Sequence, residues 1–343
     1  MIREGLTFDD VMLIPQHSKV KSRSTIDTSV NLGRYKYRHP IIPANMQTIT
    51  GLSMAWSVVA SGGLAILHRF MPIEEQINIV EDITDQINNH NIAVSVGVKP
   101  NDREYVSRFA EVDVNIFCID IAHGDSEHCL EMVRWIKSQL PNSMVIAGNV
   151  CTGEGARRLW QAGADVVKAG VGSGSLCTTR IETGNGVPQL TALMDIADAQ
   201  RQIRELEQTK LGSKRTFPFI SDGGVKCIGD IVKSLCFADM VMTGNMFAGC
   251  LETPAPVREI GGISYKEYVG SSTHKTNHVE GVSALVPCKG TYDSILTKML
   301  EGLKSGCSYQ GAENLTELKD NPAFIRITNS GLIESHPHNV IIK

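Results

Sequence analysis

The amino-acid sequence predicts an α/β fold of the (β/α)8 type, the TIM barrel. Eight short apolar runs recur along the chain, and amphipathic, helix-like segments lie between them. Runs without polar alternation are typical of strands covered on both faces, as in a parallel sheet. Eight such repeats within about 200 residues fit a barrel. The alternative, a doubly wound sheet, needs a G-x-G-x-x-G turn after its first strand, and none is present there.

The predicted elements follow directly from these runs. We predict strands at 40–44, 63–67, 93–97, 115–120, 144–148, 165–168, 217–221 and 239–243. Helices are predicted at 73–88, 125–140, 153–162, 190–206 and 227–235, where apolar residues recur at helical spacing. We expect one catalytic barrel domain over residues 1–343, with short N-terminal and C-terminal extensions.

Composition limits the classes of partner. The net charge is −4 and no run of lysine and arginine occurs, so nucleic acid is not an expected partner. No apolar run is long enough to cross a membrane, and the N-terminal residues lack the apolar stretch of a signal peptide. The nine cysteines are scattered without a C-x-x-C pair. We therefore expect reduced thiols and a cytoplasmic protein.

The segment 170–180, GVGSGSLCTTR, is the strongest candidate for chemistry. It follows a predicted strand and places Cys177 after a glycine-rich turn, beside Thr178 and Thr179. Backbone N–H groups in such a loop favour a thiolate, and a threonine hydroxyl can relay a proton. A buried structural cysteine is the alternative, because free cysteine packs as a small apolar residue. The loop alone does not decide between these two interpretations.

Two further turns indicate a ribose phosphate. The seventh predicted strand leads into Ser221-Asp222-Gly223-Gly224, and the eighth leads into Gly244-Asn245. In a TIM barrel the phosphate site lies after strands seven and eight, where glycines let backbone amides approach the ligand. Asp222 can accept hydrogen bonds from two vicinal ribose hydroxyls. A simple Asp-Gly-Gly turn is the alternative.

A series of motifs extends the pattern over nearly the whole chain. They are TFDDV at 7–11, KSRS at 21–24, ANM at 44–46, AHG at 122–124, AGN at 147–149, the cysteine loop, PQ at 188–189, SDGG at 221–224 and YVGSS at 268–272. In this order they resemble the IMP dehydrogenase and GMP reductase family. The resemblance implies a barrel that binds a purine monophosphate, whose C2 carbon is attacked by the loop cysteine. The regulatory CBS modules usual in the dehydrogenases have no counterpart here, because LHRF at 67–70 runs directly into one predicted helix.

The resemblance assigns roles residue by residue. Its catalytic residues are Cys177, Thr179 and Glu280. Its substrate-binding residues are Met46, Ser175, Asp222, Gly223, Gly224, Gly244, Asn245, Tyr268, Gly270, Ser271 and Gly281. Its cofactor-binding residues are Ser22, Arg23, Arg69, Asp120, Ile121 and Ala122. Gly172, Gly174, Cys177 and Arg180 resemble its monovalent-cation site. The implied cofactors are NADPH and K⁺, and the implied assembly is a homotetramer in which a neighbouring subunit supplies some cofactor contacts.

The branch of the family depends on residues 271–280. Dehydrogenases activate water there with an Arg-Tyr pair, and STHKTNHVE at 272–280 contains neither residue. The resemblance therefore favours the reductase branch, in which NADPH converts GMP to IMP with release of ammonia. Asn45 and the pair Glu280-Gly281 also resemble that branch. Two alternatives remain: a dehydrogenase that uses His274 or His278 as its base, and a non-catalytic paralogue that only binds nucleotide.

Three positions depart from the usual family pattern. Asn245 stands where a second glycine is usual, Ser173 replaces a common proline, and Arg69 replaces a common lysine. They weaken the assignments of one phosphate contact, of the cation loop and of the choice of NADPH over NADH, respectively.

Overall fold

The structure is a computed structural model that describes residues 2–87, 91–270, 281–337 and 340, with the side chains of 210 and 211 left out. Its centre is a parallel sheet of eight strands, labelled in chain order. They are β1 Ile41–Pro43, β2 Ala65–Leu67, β3 Ile92–Val96, β4 Ile116–Asp120, β5 Met144–Val150, β6 Val166–Ala169, β7 Phe219–Asp222 and β8 Met240–Thr243. Strands adjacent in sequence pair with each other from β2 to β8, and β8 pairs with β1. Since β1 also packs beside β2, the sheet is nearly closed into a barrel.

The barrel helices alternate with these strands. They are α1 Leu52–Ala60, α2 Ile73–Ile87, α3 Pro100–Glu111, α4 Glu127–Gln139, α5 Gly153–Ala162, α6 Gln189–Leu211, α7 Ile228–Leu235 and α8 Tyr292–Tyr309. Their boundaries follow ordinary capping chemistry. At α5, for example, the Thr152 side chain accepts a hydrogen bond from the Gly155 N–H, and Gly163 ends the helix at a φ of 112°. The eight predicted strands and the predicted TIM-barrel fold are confirmed.

Smaller elements surround the barrel. An antiparallel sheet of Val257–Ile260, Ile263–Val269 and Ser283–Pro287 lies between β8 and α8. Val11–Leu13 pairs with Phe324–Arg326, and Val30–Leu32 forms a hairpin with Tyr35–Tyr37. Short helices cover Phe8–Asp10, Arg23–Thr25, Thr179–Thr183, Leu315–Leu318 and Asn329–Glu334. No helix in the described part of the chain has the length and apolar character needed to cross a bilayer.

The sheet is buried on both faces, as its continuous apolar runs predict. Ile41, Ile66, Phe117 and Ile146 all have no exposed surface. Burying side chains of this size contributes about 1.5–3 kcal/mol each, which offsets the conformational entropy lost on folding. The rigid sheet fixes the positions of the loops at its carboxyl ends.

A buried histidine before β1 gives the stability of the barrel a predictable dependence on pH. Nδ1 of His39 accepts a hydrogen bond from the Ile41 N–H (3.4 Å), so its proton resides on Nε2, which lies 3.0 Å from Ser61 Oγ. Burial lowers the pKa of His39 from 6.5 to about 4. The folded state therefore holds the neutral ring, whereas the unfolded chain binds a proton below pH 6.5.

Acidification is expected to destabilise the fold through His39. The unfolded state binds more protons between the two pKa values, so stability is lost as pH falls from the unfolded value towards the folded one. Between about pH 7 and pH 5 this loss amounts to about 2 kcal/mol. Denaturant unfolding of the wild type and of His39→Gln at both pH values measures it. Over this pH range, His39→Gln is expected to lose about 2 kcal/mol less stability than the wild type. An equal loss of stability in the two proteins would contradict the assignment of this pH dependence to His39.

Candidate active site

A cavity of about 410 Å³ opens at the carboxyl ends of the barrel strands. It brings together residues from the loops after β1, β2, β4, β6 and β7 and from the sheet that follows β8. The predicted site residues that line it are Met46, Arg69, Asp120, Ile121, Ala122, Gly172, Gly174, Ser175, Cys177, Thr179, Asp222, Tyr268 and Gly270. Residues far apart in sequence thus converge where a TIM barrel carries its chemistry.

The cysteine loop follows β6 and presents a half-buried thiol to this cavity. Cys177 Sγ lies 3.1 Å from Thr179 Oγ1, in hydrogen-bonding contact. The loop begins at Gly170 with a φ of 148°, where a Cβ atom would collide with the Asp222 carbonyl oxygen. Only glycine fits this conformation and this approach. The thiol is thereby placed beside a hydroxyl that can exchange a proton with it or with a bound ligand.

Arg180 holds the same loop from behind. Its guanidinium donates to the carbonyl oxygens of Val171 and Val187. The side chain crosses Gly172 and Gly186, both at positive φ, and a Cβ at either position would meet it. Arg180 does not line the cavity, and its contacts indicate a role in fixing the loop.

A buried group of charges forms the floor of the cavity. Lys168 Nζ contacts Asp120 Oδ1 at 2.9 Å and Asp222 Oδ2 at 2.6 Å, with only 3% of the lysine side chain exposed. Asn149 Nδ2 also donates to Asp222 Oδ2 (2.9 Å). Gly148 lies between Asp120 and Lys168 in the strand register. Because Gly148 has no side chain, the lysine can reach across β5 to the first carboxylate.

The pKa values of this group reflect the pairing. Burial by itself lowers the pKa of Lys168, but the carboxylates of Asp120 and Asp222 overcome it and raise that pKa above its usual value. Burial raises the pKa of Asp120, and the charge of Lys168 then brings it below its usual value. Lys168 and Asp120 are therefore expected to be charged at neutral pH.

Tyr268 connects two parts of the predicted phosphate region. Ser175 Oγ donates to the Tyr268 hydroxyl (3.1 Å), and burial raises the pKa of that phenol. A Cβ at Gly244 would collide with the same hydroxyl. The structure thus brings together Ser175, Gly244 and Tyr268, as the motifs predict.

The other predicted substrate residues in the described part of the chain do not line the cavity. Gly223, at a φ of 86°, packs against Ser173 and Gly174, and Gly224 packs against the Gln189 side chain. The Asn245 carbonyl accepts a hydrogen bond from Lys289 Nζ (2.6 Å). Gly281 forms an antiparallel bridge with Cys177.

Some predicted residues are not brought to this cavity. Ser22 and Arg23 do not line it; the Arg23 guanidinium lies 5.8 Å from the ring centre of Tyr309, at the end of α8. Ser271, His274, His278 and Glu280 lie outside the described residues. The assignments of these residues stay predictions.

Sequence reasoning missed the role of Lys168 and the side-chain contacts of Asn149. Lys168 belongs to a predicted strand, and Asn149 appears only as part of a motif. A lysine inside a strand covered on both faces was the available signal, because lysine is almost never fully buried unless it is paired.

The residues present fit a nicotinamide cofactor. Asn149 lines the cavity, and its Oδ1 is buried without a hydrogen-bond partner among the described residues, so it can accept from a carboxamide such as that of nicotinamide. Within the described ranges, no three His, Cys, Asp or Glu side chains are grouped as metal ligands. The cation ligands that the resemblance implies are instead carbonyls of the cysteine loop, a donor type that suits K⁺. Of these, the Gly174 carbonyl accepts a hydrogen bond from the Cys177 N–H (3.1 Å).

Comparison with known proteins agrees with the fold. A family model described as IMP dehydrogenase / GMP reductase domain matches residues 5–338. The chain belongs to this family. It is 40% identical over 330 residues to a GMP reductase of Streptococcus agalactiae serotype III (strain NEM316), and equally to one of Streptococcus pyogenes serotype M4 (strain MGAS10750). Each match covers 94% of this chain and 95% of the relative.

Proposed function

We propose that this protein is a GMP reductase, which uses NADPH to convert GMP to IMP and ammonia. One observation carries the proposal: the thiol of Cys177, in contact with Thr179, shares a cavity with Asp222, the candidate acceptor for ribose hydroxyls. The names of the relatives support the same activity. Family membership by itself implies an oxidoreductase that acts on purine nucleotides with a nicotinamide cofactor.

In the proposed first step, the Cys177 thiolate adds to C2 of GMP. Asp222 orients the nucleotide through its ribose, and Ser175, Tyr268 and the neighbouring glycines hold the phosphate. The C2 amino group then leaves as ammonia, which requires a proton at that nitrogen. Thr179 delivers this proton from Glu280. The support for Glu280 is its position directly before Gly281, which pairs with Cys177. The product of the step is a thioimidate bonded to Cys177.

When bound, the cofactor would supply a hydride to C2. Asn149 would accept from its carboxamide, and Asp120, Ile121 and Ala122 would hold the nicotinamide half. Transfer of the hydride to C2 would let the C–S bond break, with IMP released and Cys177 returned to the thiolate. Arg69, Ser22 and Arg23 bind the phosphates of the adenosine half, Ser22 and Arg23 from a neighbouring subunit.

The proposal includes a K⁺ site, a subunit assembly and a cellular compartment. K⁺ binds the carbonyls of Gly172, Gly174 and Cys177 in the loop held by Arg180. In a homotetramer, Ser22 and Arg23, which do not line the cavity of their own chain, would face the cofactor of a neighbouring subunit. The nine cysteines are all free, which is consistent with a cytoplasmic protein.

Absorbance of the reduced nicotinamide tests the function directly. Purified protein with K⁺ is given GMP and NADPH in one cuvette, and IMP and NAD⁺ in another. We expect a fall in absorbance in the first cuvette, with ammonia and IMP formed. A rise in the second, with XMP formed, would instead establish a dehydrogenase and direct attention to His274 and His278. No change in absorbance in either cuvette, with nucleotide binding still detected, would indicate a non-catalytic paralogue.

A further inference from the structure

Lys168 occupies a position between the two ends of the cavity. Its Nζ contacts Asp120 on one side and Asp222 on the other, at the carboxyl ends of β4 and β7. Both oxygens touch the same nitrogen, so they lie within about 6 Å of each other, the range in which like charges oppose ionisation. Without a cation between them, these two partly buried carboxylates repel each other.

The contacts of Asp222 explain why its charge matters. Its Oδ2 atom receives hydrogen bonds from Lys168 and Asn149. No described residue donates to Oδ1, so this oxygen is the one left for a ligand hydroxyl. Hydrogen bonds to an ionised acceptor are roughly twice as strong as neutral ones. Protonation of Asp222 would therefore weaken any contact with ribose.

We propose that Lys168 is a positioning residue: its charge separates the carboxylates of Asp222 and Asp120, and its contact with Oδ2 holds Asp222 aimed at the ribose of the bound nucleotide. The inference rests on the proposed function, because it concerns how a nucleotide is held. Lys168 contacts neither reacting atom and acts through Asp222.

Other charged and titratable groups surround this pair. Arg69 Nε donates to the Asp120 carbonyl (3.0 Å), and its charge acts on the Asp120 carboxylate, which Asn45 also hydrogen-bonds. Cys118 lies beside Lys168, and burial raises the pKa of its thiol to about 12, so it stays neutral. Burial raises the pKa of the Tyr268 phenol, and the nearby charge of Asp222 raises it further, so the phenol also stays neutral.

These neighbours decide where a proton goes if Lys168 loses its charge. Without the lysine charge, the Asp120 carboxylate is still stabilised by the nearby charge of Arg69 and by the hydrogen bond from Asn45. Among the described residues, Asp222 retains the side-chain hydrogen bond from Asn149. The proton therefore goes to Asp222, the carboxylate that holds the ribose.

Nucleotide affinity as a function of pH tests the inference. Calorimetric titration with GMP, without cofactor, is carried out from about pH 6 to about pH 9 on the wild type and on Lys168→Met. We expect nearly constant affinity for the wild type. For the variant we expect affinity about tenfold lower at neutral pH, recovering as the pH rises. The 2′,3′-dideoxy analogue of GMP lacks the ribose hydroxyls, and both proteins should bind it equally well.

A second substitution separates charge from structure. In the double variant Asp120→Asn/Lys168→Met the repulsion is absent, so GMP affinity at neutral pH should return to within about threefold of the wild type. Lys266→Met is the matched control. That lysine is equally buried but donates only to Leu251 and Thr253 oxygens, so GMP affinity should gain no dependence on pH.

The outcomes are distinct. An affinity of Lys168→Met that is unchanged, or lowered equally at every pH and not restored by Asp120→Asn, would overturn the positioning role. Failure of the wild type to bind GMP at all would remove the proposed function and this inference with it. If Lys168→Met does not fold, Lys168→Gln, which keeps hydrogen-bond donors without the charge, is judged by the same criteria.

Discussion

Replacement of Cys177 by alanine is expected to lower turnover by about 10⁵-fold while GMP still binds. The sulfur forms the bond to C2 in the proposed reaction, and no other thiol lines the cavity among the described residues. In the proposed complex, binding depends instead on Asp222 and the phosphate contacts, which the substitution leaves in place. Steady-state turnover of NADPH and calorimetric titration with GMP measure the two effects separately.

Cys227→Ser is the matched control for this experiment. Cys227 is exposed, precedes α7 and does not line the cavity, and serine is a good residue at a helix N-terminus. Its turnover should equal that of the wild type. Appreciable turnover by Cys177→Ala would exclude covalent attack by this thiol.

Gly170→Ala is expected to damage both stability and activity. The φ of 148° is unfavourable for alanine, and the new Cβ would collide with the Asp222 carbonyl oxygen. Relief of the collision must move the end of β7 or the start of the cysteine loop. We expect a loss of about 3 kcal/mol in the free energy of unfolding and of about 100-fold or more in kcat/KM. Denaturant unfolding and steady-state kinetics measure these changes.

Gly33→Ala separates backbone strain from collision. Gly33 also has positive φ, at 56°, but no atom lies within 4 Å of the Cβ it would gain. This control should cost about 1 kcal/mol of stability and leave kcat/KM unchanged. If both variants have the same kinetics, close packing of Gly170 against β7 does not position the site.

The strands could be predicted because a sheet buried on both faces imprints continuous apolar runs on the sequence. Three helices lacked an equally clear pattern. In α1, LSMAWSVVA, apolar residues occupy most positions, so no polar face marks the helix. In α3 only Val106 and Phe109 are buried, too few to establish a period. The helix α8 lies beyond the antiparallel sheet, where the β/α alternation is interrupted.

The candidate site was predictable where a residue type is chemically unusual in its turn, as for Cys177 and Asp222. Lys168 could not be assigned, because its function depends on partners 48 and 54 positions away along the chain. The separation of the two carboxylates by one lysine is a property of strand register, and the sequence does not display register. The role of Gly148 becomes visible only when β4, β5 and β6 are paired, because it then lies between Asp120 and Lys168.

Two backbone hydrogen bonds at the end of the antiparallel sheet tie residues 270 and 282 to the cysteine loop, next to the thiol. The Gly270 N–H donates to the Val282 carbonyl (3.2 Å), and the Val282 N–H donates to the Leu176 carbonyl (3.1 Å). Both ends of the intervening stretch are therefore anchored at one point, and closing a loop there costs little more for a longer stretch than for a shorter one. We therefore expect insertions and deletions between the anchors to leave Cys177 in place. The proposed nucleophile would then stay constant while the piece of chain between the anchors is exchanged.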